Sequence, residues 1–202
     1  EGLITTIQLG ILSIVTGLIV GLLLALVRLY AIKPLQIITK AYIDVFRSIP
    51  LLVLLIIVFY ALPFVGISLS PFYAAALSLT IVSGAYTAEI FRAGIEAISR
   101  GQFEASQALG LGYLHMMKDI ILPQAVKIVI PPLTNNCINV IKDTALASVV
   151  AMPDLLKQAT QAQAVAANPT PLILAAVIYV MFLLPLVLWV SRLEVKLNVG
   201  DR

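Results

Sequence analysis

From Gly2 to Val27 the chain carries no charged side chain and no proline. A helix over such a stretch rises about 1.5 Å per residue and covers the roughly 30 Å hydrocarbon core of a bilayer. Lipid offers the backbone no hydrogen-bond partner, so a run of this kind must satisfy its own peptide groups as a helix. The rest of the chain agrees: 61% of its 202 residues are hydrophobic and 11% are charged, with a mean hydropathy of +1.06. A soluble domain carries about 25% charged residues. Because the apolar runs are unbroken rather than alternating, the chain reads as an all-α integral membrane protein and not as a lipid-facing β-barrel. Residues 3–30 read as a retained span, since no small-residue cleavage site follows them. Cys137 is the only cysteine, so the chain forms no internal disulfide.

Five segments are predicted to cross the membrane, at about 3–29, 41–62, 71–98, 125–150 and 171–195, within a single transmembrane domain over 1–202. An odd number of spans puts the termini on opposite sides, and the cations decide which. With the N-terminus outside, Arg28, Lys33, Lys40, Arg47, Arg92, Arg100, Lys118, Lys127, Arg192, Lys196 and Arg202 gather inside. Only Lys142 and Lys157 are left outside, so the predicted orientation is N-out, C-in. The net charge of +3 is therefore a matter of placement and no nucleic-acid signal. No phosphate-binding loop with its lysine and no metal-ligand cluster occurs. Gly110-Leu111-Gly112 lacks the strand and the further glycine that dinucleotide binding needs, and His115 stands without catalytic partners.

Residues 100–123 cannot span, and the predicted orientation makes them cytoplasmic. Phe103 to Leu109 have good helix propensity, and Gly110 and Gly112 stop or bend the helix. Phe103, Ala105, Ala108, Leu109 and Leu111 form a small apolar face, with Glu104 and Gln107 on another. From the residues alone, this helix either lies on the lipid surface or docks a cytoplasmic protein.

Glu104-Ala105-Ser106, Gly110, Ile120 and Leu122-Pro123 resemble the EAA motif of ATP-binding-cassette importer permeases: Glu-Ala-Ala, three residues, Gly, nine residues, Ile, one residue, Leu-Pro. Ser106 stands where Ala is usual. FRSIPLLVLLIIVFYALP (46–63), SGAYTAEIFRAGIEAI (83–98) and KDTALASVV (142–150) are similar to the polar amino acid branch of that family, with Ser48 for a usual Gly and Leu54 for a common Gln. The resemblance implies a type I importer fold and a permease subunit that is not itself an enzyme. It implies a second permease subunit, the same or a close relative, and an extracytoplasmic amino-acid-binding protein. Two ATPase subunits would bind the Mg-ATP, and this chain would hold no cofactor. It further implies that Glu104 anchors the coupling helix, that Ala105, Ala108 and Leu109 pack in an ATPase cleft, and that Gly110 makes the turn.

Polar side chains inside spans are candidates for a transport path. Asn135, Asn139 and Asp143 fall four residues apart on one helix face, with Asn136 beside them and Pro131-Pro132 one turn earlier to kink the helix. Hydrogen bonding between helices is the alternative use of that stripe. The third span adds Ser83, Tyr86 and Glu89, with Thr80 and Thr87 nearby. Glu89 either meets substrate or forms an ion pair with Arg92. In the family, substrate sits between the spans flanking the EAA loop. Ser83, Tyr86, Glu89, Asn135, Asn136, Asn139 and Asp143 are accordingly expected to share a cavity, and its two acids to favour Arg, Lys or His. Residues 151–169 are expected to form a short outer helix begun by Pro153 and ended by Asn168-Pro169. Asp154 and Lys157 there are candidates to touch the binding protein, and a solvated loop is the plain alternative. An ion-gradient-driven transporter or channel without an ATPase is the competing function.

Overall fold

The computed structural model describes residues 1–198, with side chains through Leu193; Arg202, one of the cations weighed for orientation, lies outside them. Short connections aside, this range is helical: α1 (Gly2–Tyr30), α2 (Lys33–Ser48), α3 (Leu51–Ile56), α4 (Pro71–Glu96), α5 (Arg100–Ala108), α6 (Tyr113–His115), α7 (Leu122–Asp143), α8 (Leu155–Ala166) and α9 (Thr170–Asn198). Among the described residues three helices are long and apolar enough to cross a membrane: Gly2–Tyr30, Pro71–Glu96 and Thr170–Leu193.

The expected second span, 41–62, is not one straight helix. Lys33–Ser48 and Leu51–Val65 meet at 101°, and counted together they make a fourth candidate span. The break falls at Ile49-Pro50. Proline forces the preceding residue out of the helical region, and Ile49 has ψ 127. The expected fourth span, 125–150, also differs. Its helix starts at Leu122, passes through Pro131 and Pro132 unbroken, and tightens to a 3-10 turn over Thr144–Val150.

Two π turns, Ile57–Ala61 and Met116–Ile121, each stand just ahead of a proline, Pro63 and Pro123. In a regular α-helix a proline ring clashes with the carbonyl four residues back, and the wider turn accommodates it.

Helix α1 packs most extensively on α4, and α4 next on α7. The buried stripe of α1 is Thr6, Leu9, Gly10, Ser13, Gly17, Gly21 and Ala25, all small except Leu9, which lets two backbones approach closely. A Cβ on Gly21 would lie 2.4 Å from Thr87 Cβ, so the contact has no room for a methyl group. Thr16 and Thr80 hydroxyls meet across the same seam at 2.6 Å. The outward faces of α1 and α9, including Ile11, Ile19, Leu23, Val180 and Trp189, are exposed apolar surface suited to lipid or to a neighbouring subunit.

The helix expected within 151–169 forms, but it runs from Leu155 to Ala166 and is capped by Asp154, whose carboxylate accepts from the Lys157 amide at 2.8 Å. Asp154 is fully buried, so the expectation that it touches a binding protein is overturned. Its position instead ties α8 to α1: the Leu155 amide donates to Thr6 Oγ1 at 3.1 Å.

Candidate substrate cavity and coupling helix

A cavity of about 360 Å³ opens between α4, α7 and the start of α3. Its polar wall is Ser83, Tyr86, Asn136, Asn139, Lys142 and Asp143, and Leu51, Leu79, Val82 and Val140 complete it. The size falls within the range of about 300–1,000 Å³ typical of small-molecule sites. Asn136 is the cross-link between its two long helices, its Nδ2 donating to Ser83 Oγ at 3.3 Å and to Thr87 Oγ1 at 3.1 Å. Thr87 is fully buried against Gly21 of α1, so the close seam between α1 and α4 fixes the cavity wall from behind.

Five of the expected substrate residues thus share one cavity, and two do not. Asn135 is exposed on another side of α7; the face used is Asn136–Asn139–Asp143, a three-and-four spacing that closes a helical turn as well as four-and-four does. Glu89 lies outside the lining because arginines hold it. Its Oε2 accepts from Arg28 at 2.7 Å and from Arg92 Nε at 3.1 Å. Oε1 accepts from Arg92 Nη2 and faces Arg47 at 3.9 Å. The ion-pair alternative named for Glu89 and Arg92 is the one the geometry shows, enlarged by Arg28, and Arg92 also bonds Glu96. Lys142, assigned from sequence to the outer face alone, belongs to the cavity beside Asp143.

A second cavity, about 370 Å³, lies further along α4 and is lined by Arg47, Tyr86, Glu89, Ala93, Gly94 and Ile128 among others. Tyr86 is common to both cavities. Its hydroxyl donates to the Arg47 carbonyl at 3.2 Å, and the Arg47 guanidinium carbon stands 5.3 Å from the ring centroid.

The candidate coupling segment is a short helix, α5, closed by a turn that glycine adopts without strain. Gly110 has φ +73; its amide donates to Gln107 O at 2.9 Å and that of Leu111 to Ser106 O at 3.1 Å, the paired bonds of a Schellman cap. Glu104, Ala105, Ala108 and Leu109 are exposed, and Leu109 is 77% accessible. The expected apolar face divides: Phe103 and Leu111 turn inward onto Ile98, Met116, Ile121 and Ala125, with Ile120 packed in the same cluster. Ser106 is buried, its hydroxyl donating to Gln102 O at 2.6 Å, so the departure from the usual Ala faces the interior. Among the described residues no group of three or more His, Cys, Asp or Glu is placed to hold a metal ion.

A bundle of apolar helices with a polar cavity between two of them, and a short exposed helix hung beneath, defines a membrane transport component. The chain belongs to the family described as binding-protein-dependent transport system inner membrane component, which it matches over residues 17–199. It is 40% identical over 203 residues to the arginine transport system permease protein ArtQ of Bacillus subtilis (strain 168), covering 100% of this chain and 93% of that protein. It is also 40% identical over 203 residues to a putative glutamine transport system permease protein GlnP of Rickettsia bellii, covering 99% and 93%. A structure titled an amino acid ABC transporter with histidines superposes with a TM-score of 0.91 at 38% identity, over 96% of this chain and 92% of that one. The inward-facing MetNI methionine ABC transporter gives a TM-score of 0.72 at 25% identity, over 96% and 91%.

Proposed function

We propose that this chain is the permease subunit of an ATP-driven importer that moves polar amino acids across the cytoplasmic membrane by alternating access. The observation that carries this reading is the cavity between α4 and α7, walled by six polar side chains within a bundle of mostly apolar helices. An amino acid needs acceptors for its ammonium and donors for its carboxylate. Asp143 supplies the first, and Lys142 with the Asn139 amide supplies the second. Ser83, Tyr86 and Asn136 shape the wall, Asn136 with its amide nitrogen already engaged by α4. The relatives are named for arginine and glutamine, whose common part is the main-chain zwitterion, and one Asp beside one Lys suits that part. A preference for basic amino acids rests on Asp143 alone, because Glu89 is engaged by Arg28 and Arg92.

Five spans with the N-terminus outside complete the reading. They place α5 in the cytoplasm, where Glu104, Ala105, Ala108 and Leu109 dock an ATPase subunit and Gly110 frees the turn beneath them. Two ATPase subunits hydrolyse Mg-ATP, a second permease subunit completes the bundle, and an extracytoplasmic binding protein delivers the amino acid. An ion-gradient-driven transporter would have no use for an exposed helix with the EAA spacing.

The test is uptake of radiolabelled L-arginine, L-glutamine, L-histidine and L-cystine by the reconstituted complex with internal ATP and no imposed ion gradient. Asp143→Asn is expected to lower uptake about tenfold or more, the worth of one hydrogen bond to a charged group. Unchanged uptake and selectivity in that variant would remove the cavity from the path. Uptake that follows an ion gradient without ATP would establish the competing class.

A further inference from the structure

The second cavity is lined by one cation, Arg47, and one anion, Glu89. Arg28, Arg92 and Glu96, which do not line it, extend the cluster around Glu89 to three cations against two anions. The pairing is unequal. Arg28 and Arg92 are hydrogen-bonded to Glu89, and Arg92 to Glu96 as well, whereas Arg47 reaches Glu89 only at 3.9 Å and rests on the face of Tyr86. Arg47 is thus the least committed of the three, and it lines a space of about 370 Å³ whose other walls are mostly apolar. A cation in such a place attracts an anion of modest size.

The register of the helices connects this space to the first cavity. α4 and α7 run antiparallel along the stretch they share. The first cavity takes positions 79–86 of α4 and 136–143 of α7, and the second takes 86–94 of α4, Ala97 just past its end, and 128–132 of α7. The two are stacked along the bundle, and Tyr86 is the residue they share. Its hydroxyl is tied to the Arg47 carbonyl, two residues before the Ile49-Pro50 break where α2 and α3 meet at 101°. Any change of angle at that break moves Arg47, and with it the partner that holds the Tyr86 ring.

We propose that the cavity beyond Tyr86 is a second substrate subsite, in which Arg47 takes the carboxylate of an amino acid that has passed the Tyr86 ring. The carboxylate displaces the ring from the guanidinium, a bidentate charge-assisted pair replacing a weaker cation–π contact. Tyr86 is then the partition between entry and release, and Arg47 is both its latch and the next ligand. This inference rests on the reading of the first cavity as the amino acid site.

The experiment uses the complete complex, with L-arginine and L-glutamine as probes and agmatine as a carboxylate-free control. Binding in detergent and ATP-driven turnover in vesicles are measured for Asp143→Asn, Arg47→Gln, Arg47→Lys and Tyr86→Ala. Arg47→Gln is expected to bind either amino acid within about twofold of the parent while turnover falls about tenfold or more, with Arg47→Lys recovering part. Agmatine binding should be indifferent to Arg47. Vesicles holding Tyr86→Ala complexes are expected to lose trapped amino acid about tenfold faster than the parent when held with a non-hydrolysable ATP analogue. Parental turnover in Arg47→Gln, or loss of binding in it equal to that of Asp143→Asn, overturns the second subsite. Parental retention by Tyr86→Ala overturns the partition, and if that variant does not assemble, the two Arg47 variants still decide the subsite. Undiminished binding in Asp143→Asn sinks the first-cavity reading instead, so the two failures are distinct.

Discussion

Replacing Gly21 with alanine places one carbon at the tightest point of the seam between α1 and α4. That carbon would stand 2.4 Å from Thr87 Cβ, 2.5 Å from Thr87 Cγ2 and 2.9 Å from the Gly84 carbonyl oxygen. Ordinary contact begins at 3.4 Å, so the helices must part by 1.0 Å at this level (3.4 − 2.4). Backbone atoms and a β-branched side chain block every small adjustment, and overpacking of this kind costs about 1–3 kcal/mol. Thr87 also accepts the Asn136 amide at 3.1 Å, and a shift of that size breaks the bond for about 1 kcal/mol more. The sum, about 2–4 kcal/mol, is expected as a lower thermal midpoint of the purified complex, followed by fluorescence of Trp189. Amino acid binding should weaken in parallel, since Asn136 and Ser83 lose their common anchor. Gly112→Ala is the control: nothing lies within 4 Å of the added carbon and φ is −65, so its midpoint should match the parent. Equal damage from both substitutions, or none from Gly21→Ala, would refute the close-approach reasoning.

Glu89→Gln leaves Arg28 and Arg92 facing one another across a lost carboxylate and is expected to destabilise by about 3 kcal/mol, with part of the loss recovered by adding Arg28→Gln. A double-mutant cycle on thermal midpoints measures both, and additive losses would argue against the pair. Gly110→Arg pays about 1 kcal/mol for a side chain at positive φ, yet no atom lies within 4 Å of the new Cβ. The bundle should therefore insert and assemble while substrate-stimulated ATP hydrolysis disappears; normal stimulation would unseat α5 as the docking helix. Burial pushes the Asp154 carboxyl above the ordinary carboxylate range, against the opposing pull of the Lys157 and Leu156 amides. An acid raised in the folded state contributes most below its unfolded pKa and loses that contribution as pH rises through the folded one. Thermal midpoints of the parent should accordingly fall across that interval relative to Asp154→Asn, and parallel curves for the two would contradict the assignment.

Much of the bundle was legible because the bilayer fixes how long an apolar helix must be. α1, α4 and α9 fall close to where unbroken hydrophobicity places them. The break at Pro50 was not, since hydropathy averaged over residues 41–62 passes over Arg47 and Ser48 and does not register a backbone bend. Sequence spacing also reaches only a turn or so. It paired Glu89 with Arg92, three residues on, but could not reveal Arg28, which lies 61 residues away, on another helix. Both Asn135 and Asn136 continue into Asn139 and Asp143 at helical spacing, and only the packing of α7 on Ser83 and Thr87 chooses between them. The short helix α5 and its glycine turn were legible in the run from Phe103 to Gly110, yet which of the apolar residues would turn inward depended on the cluster built by Met116 and Ile121. Asp154 sat in a polar run and read as surface; its burial follows from capping α8 beneath the end of α1.

The π turn at Met116–Ile121 holds one residue more than an α turn would, directly below the helix that carries the cavity. An extra residue elsewhere in a helix rotates everything beyond it by about 100°, but here the wider turn absorbs the surplus and Pro123 makes the narrow turn unfavourable. Leu122-Pro123 thus acts as an indexing notch between the α5 segment and α7. It fixes the azimuth at which Asn136, Asn139 and Asp143 project from α7. A one-residue deletion is tolerable there only if the proline goes too, and a deletion anywhere higher in α7 swings the polar wall away from α4.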